Sequence, residues 1–398
     1  MEIISRGAYL DKLIAFKDKK VIKVITGIRR CGKSTLMEIY RNWLLKNGVD
    51  ETQIVSINFE DYDYYDLRKP DKLYSFVKER LINGAMTYIF LDEIQHVENF
   101  SDVVDSLYIK QGTDIYITGS NAYMLSSEIA TLLSGRYVEI PMLPLSFKEY
   151  VSCQEDRRDL SRLYSDYISS SSFPYTVYIE GKAEIVDYLM GVYNTVVVKD
   201  VMSRGKIKDV MMLESVVRFA ADNIGNVCST KRMADVMSAD GRKIDQKTVE
   251  RYLSALCEAF VLYQVKRYNV RGKQLLKTLE KYYFVDMGLR RVLLGERSFN
   301  VGRILENVVY LEFLHRQKKV YIGKMDNLEI DFVVSDIHGI AYYQVAATVR
   351  DTGTLEREIA PLRAIKDNYP KYILTLDDDP DADYDGIRRT NVLRWLLG

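Results

Sequence analysis

Cysteine and histidine are scarce in this chain. Cys31, Cys153, Cys228 and Cys257 are far apart with no C-x-x-C pair, and there are 3 histidines. That pattern excludes a disulfide framework and a cysteine-built zinc site, and it leaves too few imidazoles for a histidine-rich metal centre. Net charge is missing too: 56 basic residues balance 56 acidic ones. No global field therefore steers the chain onto nucleic acid or membrane, and any such binding has to come from a local patch. No stretch reaches the roughly 18 apolar residues of a spanning helix. The start, MEIISRGAYLDKLIAF, lacks a basic segment followed by an apolar block, so no signal peptide and no membrane partner are expected. These absences make a reduced, cytoplasmic setting the expectation. No internal repeat is found.

What is present is an ordinary globular composition, 47% hydrophobic and 28% charged, over 398 residues. That length exceeds one core and predicts about two or three domains. From residue 21, short apolar runs alternate with amphipathic segments. VIKVIT, QIVSINF, TYIFLDE, TDIYITGS and RYVEI read as strands, with helices from Lys33 to Lys46 and near 71–82 and 100–110. Strands alternating with helices predict an α/β unit, a parallel sheet with helices on both faces. The pattern changes at Pro141–Pro144. Residues 145–207 then read as mainly helical, and 208–298 as short helices and then a hairpin-like VLYQVKRYNV followed by Arg271-Gly272-Lys273. Residues 299–398 read as a second α/β domain opening on a helix at 306–317.

The chemistry begins at residue 27. Gly27 and Gly32 have the G-x-x-x-x-G-K-[ST] spacing, which lets backbone N–H groups close on phosphates without a side chain in the way. The expected nucleotide-binding set is Gly27, Ile28, Arg29, Arg30, Cys31, Gly32, Lys33, Ser34 and Thr35. Lys33 reaches the β- and γ-phosphates, Ser34 supplies a hydroxyl to Mg²⁺, and the helix beginning there turns its positive end to the anion. The motif lies between an expected strand and an expected helix, as a phosphate loop (P-loop) requires, so ATP and Mg²⁺ are the expected cofactors. Asp92 and Glu93 end an apolar strand. Asp92 is read as holding Mg²⁺ through water, and Glu93 as orienting and polarising the attacking water, which favours hydrolysis over transfer to a substrate hydroxyl. Asn121, after the strand ending Thr118-Gly119-Ser120, is a candidate γ-phosphate sensor. Arg136 is a candidate guanidinium for a neighbouring subunit's phosphate. Cys31 reads as either an oxidation-sensitive thiol or a small filler. Arg6 and Tyr9 are candidate walls of an adenine pocket.

The combination GIRRCGKST, FLDEIQ, ITGSNAYML, LLSGRY and PLSFKEY, followed by TVERYLSALCEAFVLYQVKRY, KYYFVDMGLR, ENVVYLEF and EIDFVV, resembles a prokaryotic AAA-type ATPase family of the AAA+ P-loop superfamily. Its members carry a C-terminal domain of unknown function. The resemblance spans nearly the whole chain. It implies an ATPase core over 1–144, a helical linker over 145–207, a winged-helix module over 208–298 and a small restriction-nuclease-like α/β domain over 299–398. In the middle module, residues 206–295 carry 17 Lys/Arg against 10 Asp/Glu. Ser229 and Asp245 are positioned to cap two successive helices. Such a pair could place Lys247, Arg251, Lys266, Arg267 and Arg271 on the phosphates of double-stranded DNA; the same module used only for protein contacts is the competing reading. In the tail, Glu306 and Asp331 fit the first two places of a restriction-like nuclease, but Gln344-Val345-Ala346 stands where Glu-x-Lys is needed. A carboxylate and a lysine are missing, so no cleavage is expected, unless Glu329 or Lys324 substitutes.

The leading expectation is an ATP-hydrolysing switch or motor whose C-terminal half binds a macromolecule, DNA being the first candidate. The alternative is a signalling or scaffold ATPase with protein partners and a nucleotide-dependent homo-oligomer. A small-molecule kinase is disfavoured by Glu93 beside Asp92.

Overall fold

Apolar runs too short for helices give the first half its sheet. In the computed structural model, residues 4–120, 135–202, 207–239, 241, 243–276, 279–295 and 300–398 are described. They divide into two units, Met1–Pro144 with Glu258–Phe260, and Leu145–Cys257 with Val261–Gly398. In the first unit the elements run α1 (Gly7–Ala15), β1 (Ile22–Thr26), α2 (Lys33–Lys46), β2 (Ile54–Asn58), α3 (Pro70–Lys78), β3 (Thr87–Asp92), α4 (Phe100–Tyr108), β4 (Thr113–Gly119) and β5 (Tyr137–Pro141). The sheet order is β2-β3-β4-β1-β5, and every neighbouring pair is parallel. Every residue of β1, β3 and β4 is buried, as expected of parallel strands covered on both faces. The edge strand β2 instead alternates between buried and exposed. Val24, Ile57, Ile89, Leu91 and Ile117 of the sheet meet Leu73 and Val77 of α3 and Val104 and Leu107 of α4.

The amino-terminal edge of this sheet holds a buried ion pair. Lys23 and Asp114 bond each other with side chains 0% and 1% exposed. The Asp114 carboxylate also accepts from the Tyr116 hydroxyl (2.8 Å) and the Asp18 N–H (2.9 Å). Burial lowers the lysine and raises the aspartate, and each charge opposes the other's shift. The candidate site residues lie at the opposite, carboxyl-terminal edge.

The second unit opens with α5 (Phe147–Ser152), α6 (Leu160–Ser170), α7 (Lys182–Tyr193) and α8 (Val210–Asp222). Ser146 and Glu149 form a capping box at the start of α5, the arrangement that satisfies two free N–H groups reciprocally. There follow β6 (Val227–Cys228), α9 (Thr230–Ala239), α10 (Gln246–Glu258), β7 (Leu262–Val265), β8 (Arg267–Asn269), β9 (Gln274–Leu275), β10 (Glu280–Phe284) and α11 (Met287–Leu294). The tail is α12 (Val301–His315), β11 (Lys319–Met325), β12 (Leu328–Asp336), β13 (Gly339–Ala346), α13 (Thr352–Ala364), β14 (Lys371–Thr375), β15 (Ala382–Tyr384), β16 (Ile387–Asn391) and α14 (Val392–Leu397). Two sheets result, an antiparallel one ordered β6-β10-β7 and a mixed one ordered β15-β16-β14-β13-β12-β11-β8-β9.

The hairpin expected here forms only in part: Tyr268 and Asn269 pair antiparallel with Leu275 and Gln274 across Arg271-Gly272-Lys273, but the two halves of VLYQVKRYNV do not pair with each other. Its first half pairs with β10 and its second half pairs in parallel with β11. The exposed Lys266 lies between them, and its carbonyl accepts from the Ile322 N–H at 3.1 Å. A boundary at 298 consequently cuts through a sheet rather than between two. No helix among the described residues is long and apolar enough to cross a membrane.

Candidate active site

β1 ends at Thr26 and the chain leaves the sheet through Gly27, with φ +148°. A Cβ there would stand 2.1 Å from the Met142 carbonyl oxygen, so the close approach of that carbonyl requires glycine. Gly32, at φ +101°, turns the chain into α2 at Lys33, which puts the unbonded N–H groups of the helix start behind the loop. Lys33 is 4% exposed. Its ammonium donates to the carbonyls of Gly27 (3.2 Å) and Ile28 (3.4 Å) and stands 3.5 Å from Glu93 Oε1. Cys31 is wholly buried and burial pushes its thiol up, so it is the small filler and not a reactive thiolate.

Arg6 is also buried. Its guanidinium donates to the carbonyls of Cys31 (3.0 Å), Leu143 (2.6 Å) and Pro144 (3.3 Å) and lies 5.0 Å from the Tyr9 ring centroid. The Tyr9 hydroxyl accepts from the Leu143 N–H at 3.1 Å. These two residues, expected as walls of a base pocket, instead brace the phosphate loop against the non-strand segment that follows β5. Arg6 donates to backbone carbonyls and Tyr9 accepts from a backbone N–H.

Asp92 closes β3 with its side chain buried, and its carboxylate accepts from the hydroxyls of Thr118 and Ser34. Burial raises its carboxyl, with those two hydroxyls opposing. Glu93 follows in the left-handed region, φ +54° and ψ +49°, where a residue with a Cβ sits at a cost of about 1–2 kcal/mol. The Thr118 hydroxyl holds this turn by accepting from the Glu93 N–H at 2.8 Å. Burial works to raise the Glu93 carboxyl. The Lys33 ammonium, the Gln95 amide and Arg29 outweigh it and hold the group below its ordinary range. The Asp92 carboxylate and Ser34 hydroxyl are adjacent hard oxygens, which suits Mg²⁺. Among the described residues no group of three or more His, Cys, Asp or Glu converges on a metal position. That donor set fits a cation completed by phosphate oxygens and water, and not an all-protein cage.

The remaining expected residues fall elsewhere. Asn121 lies outside the described residues. Arg136 immediately precedes β5, and its carbonyl accepts from the Ile22 N–H at 2.8 Å, at the amino-terminal edge of the sheet. Its guanidinium pairs with Asp105 at 2.6 Å and faces the Tyr108 ring. The structure therefore does not bring it to its own chain's phosphate loop. Arg29 pairs with Glu60 at 3.0 Å, and Thr35 is exposed on α2. Gln95 is a residue the sequence reading missed. Its amide donates to Glu93 Oε2, and the only signal was its place two residues beyond Glu93.

An AAA domain family model matches residues 19–151, the span that contains the loop and both carboxylates. A protein of Haemophilus influenzae, itself described as uncharacterised, is 38% identical over 399 residues, covering 99% of either chain. The chain belongs to the same family as that protein and carries an AAA-type P-loop ATPase domain. A domain of unknown function is matched at residues 161–300. A further uncharacterised relative, from Methanocaldococcus jannaschii, is 29% identical, covering 95% of this chain and 88% of that one. Among solved structures, the Walker-type ATPase of Pyrococcus abyssi is similar at 14% identity and a TM-score of 0.49, covering 73% and 96% of the two chains. The ORC1 protein of Aeropyrum pernix, solved with DNA, is similar at 12% identity and a TM-score of 0.34, covering 73% and 92%.

The second unit of this AAA-domain protein holds the other candidates. Ser229 and Asp245 do cap α9 and α10, accepting from the N–H groups of Arg232 (3.1 Å) and Thr248 (2.9 Å). Lys247, Arg251 and Lys266 are exposed, but Arg267 is buried and Arg271 pairs with Asp326 at 3.6 Å. Arg267 is thus withdrawn from any phosphate-contacting surface, because β8 is drawn into the larger sheet. In the tail, Glu306 and Glu329 are brought together by a lysine that sequence spacing did not indicate. Lys281 of β10 places its ammonium 3.0 Å from Glu306 and 2.7 Å from Glu329. The Tyr283 hydroxyl donates to Glu306 at 2.6 Å. Asp331 accepts from the Val345 N–H at 2.8 Å, and burial and the Glu306 charge push its carboxyl well up. The Gln344 amide bonds the Asp331 N–H (2.7 Å) and Glu358 (3.0 Å).

Proposed function

We propose that this protein hydrolyses ATP with Mg²⁺ and uses the nucleotide state to drive or switch a C-terminal half that binds a macromolecule, double-stranded DNA being the first candidate. The observation that carries the hydrolytic reading is the meeting of Lys33, Ser34, Asp92 and Glu93 at the carboxyl-terminal edge of β1 and β3. Open α/β sheets bind ligands at that edge. In this reading Lys33 neutralises the terminal phosphates, Ser34 and Asp92 hold Mg²⁺, and Glu93 takes a proton from the attacking water. When bound, Mg²⁺ supplies charge neutralisation on the phosphate oxygens. Asn121 stays the proposed sensor.

The DNA-binding reading rests on α9 and α10 with their caps, the β6-β10-β7 sheet beside them in sequence, and the exposed Lys247, Arg251 and Lys266. A basic helix pair of this kind suits phosphate contacts. The tail is read as non-cutting. Lys281 already supplies the positive charge that its carboxylates would otherwise seek from a metal, and Gln344 remains a neutral amide.

The deciding experiment is the ATPase rate with and without double-stranded DNA, in wild type and Lys33→Ala. Turnover in the wild type, stimulated by DNA and absent from the variant, is expected. A wild type that neither turns over ATP nor binds DNA at low salt sinks the reading.

One observation favours the second reading, an ATPase that assembles with protein partners. Tyr62 and Tyr65, 80% and 50% exposed, stack at 5.2 Å in the acidic segment after β2. Exposed aromatics among carboxylates repel DNA and suit a basic protein surface. In that reading Arg136 would leave Asp105 and act in trans in a nucleotide-dependent homo-oligomer. Light scattering with ATP and with ADP tests it, and an unchanged mass in both states counts against it.

A further inference from the structure

Glu93 is held on both sides. Its Oε1 faces the Lys33 ammonium at 3.5 Å, and its Oε2 accepts from the Gln95 amide nitrogen. That same nitrogen is 3.5 Å from the Ser120 hydroxyl at the end of β4. The Gln95 carbonyl oxygen is buried with no hydrogen-bond partner, and a Cβ built on Gly119 would stand 3.3 Å from it. Leaving a buried amide oxygen unsatisfied is costly, and such groups are uncommon enough to need a reason. The left-handed backbone of Glu93 adds to that cost. A side chain kept for packing alone would not carry an unpaired oxygen beside a strained glutamate.

We infer that Gln95 is the positioning residue for Glu93: it fixes one carboxylate oxygen while the other passes from Lys33 to the attacking water. The inference rests on the hydrolytic reading above. With no γ-phosphate present, Lys33 occupies Oε1, so neither oxygen is free to take a proton. A γ-phosphate competes for the ammonium and releases Oε1, while Gln95 keeps the carboxylate plane in place. The water oxygen then bonds to the γ-phosphorus, and the bond from that phosphorus to the bridging oxygen breaks with its electron pair going to ADP. One water proton passes to Glu93 Oε1, from where it returns to solvent or phosphate. A freely turning carboxylate would lose this alignment, and misplacement of a catalytic group by about 1 Å can cost about 100-fold in rate.

The test compares Gln95→Ala, Gln95→Met and Glu93→Gln in the full chain, measuring ATP binding by fluorescent-nucleotide titration and turnover by phosphate release. Methionine restores the volume of glutamine without the donor. The expected result is a kcat lowered about 10- to 100-fold in both Gln95→Ala and Gln95→Met, with KM and nucleotide affinity within about twofold of wild type. Glu93→Gln is expected to bind ATP and not turn it over. If Gln95→Met is as active as wild type while Glu93→Gln is dead, the residue is packing and this inference is overturned alone. If wild type does not hydrolyse ATP, or Glu93→Gln is as active as wild type, the hydrolytic reading falls and this inference with it.

Discussion

Replacing Lys281 by methionine removes the one ammonium set between Glu306 and Glu329, and the size of the effect follows from who can escape. The Glu329 side chain is 39% exposed and can turn back to water. The Glu306 side chain is 12% exposed and tied to the Tyr283 hydroxyl. Asp331, beside it, is held by the Val345 N–H. The loss is therefore dominated by carboxylates left without a cation in a site where water does not replace it. Breaking a buried pair by deleting one partner costs about 3–5 kcal/mol. For a unit of this size, about 2–4 °C per kcal/mol predicts a Tm lowered by roughly 6–20 °C. Thermal unfolding followed by circular dichroism reads it directly. Adding Glu306→Gln to Lys281→Met removes the stranded charge, and its side-chain oxygen can still accept from Tyr283, so the double variant recovers about half of the loss. A Lys281→Met variant within about 1 kcal/mol of wild type, or a double variant less stable than the single, refutes the reasoning.

Other consequences follow from the same contacts. Asp331 has a folded-state carboxyl raised above its unfolded value, so the stability it contributes is full at acid pH and lost as pH rises through the raised value. Asp331→Asn should therefore gain Tm relative to wild type as pH goes from about 4 to about 8, and a constant difference across that range would contradict this. Lys33→Ala should abolish phosphate release while the thermal transition moves by no more than a few degrees; a variant that still turns over ATP would remove Lys33 from the site. Arg6→Ala strands the Cys31, Leu143 and Pro144 carbonyls and should weaken ATP binding at least about tenfold, with Arg6→Lys recovering part of it, as measured by nucleotide titration. An Arg6→Ala variant of wild-type affinity would show that the loop needs no brace. DNA containing many sequences should stay uncut by the protein in Mg²⁺ or Mn²⁺, and cutting that disappears in Asp331→Ala would overturn the non-cutting reading.

The first unit was legible because its information is local. The apolar runs of β1 and β3 each lead directly into candidate site residues, so the places of Lys33, Ser34, Asp92 and Glu93 could be read from spacing alone. What spacing could not show were contacts made across the sheet. Thr118 locks the turn after Asp92 from the neighbouring strand, and Arg6 reaches the loop from before β1. Gln95 has its meaning only through the left-handed turn of Glu93. The second unit failed differently. The turn at Arg271-Gly272-Lys273 does close a hairpin, yet the two halves of VLYQVKRYNV before it join different sheets, and periodicity carries no record of which partner a strand chooses. Arg267 was misplaced on the surface for that reason.

Lys281 is the instructive case, because a sequence comparison confined to the tail finds its cation missing while the structure supplies one from an earlier strand. Position in the chain and position in a site are independent once β10 and α12 meet through Asn307, whose side chain accepts from the Phe284 N–H at 2.7 Å and donates to the Phe284 carbonyl at 2.8 Å. That clasp fixes the register that delivers Lys281 to Glu306. An ammonium at the end of a flexible stem can meet two carboxylates, but it cannot polarise a water as a divalent ion does. In the non-cutting reading the cluster has part of the positive charge of a metal site without its Lewis acidity. A residue that satisfies carboxylates in this way joins the β6-β10-β7 sheet to the tail's core, so the two modules of this unit share one electrostatic contact. Changes at that contact should be felt in both, which is why Lys281 is the variant to make first in the C-terminal half.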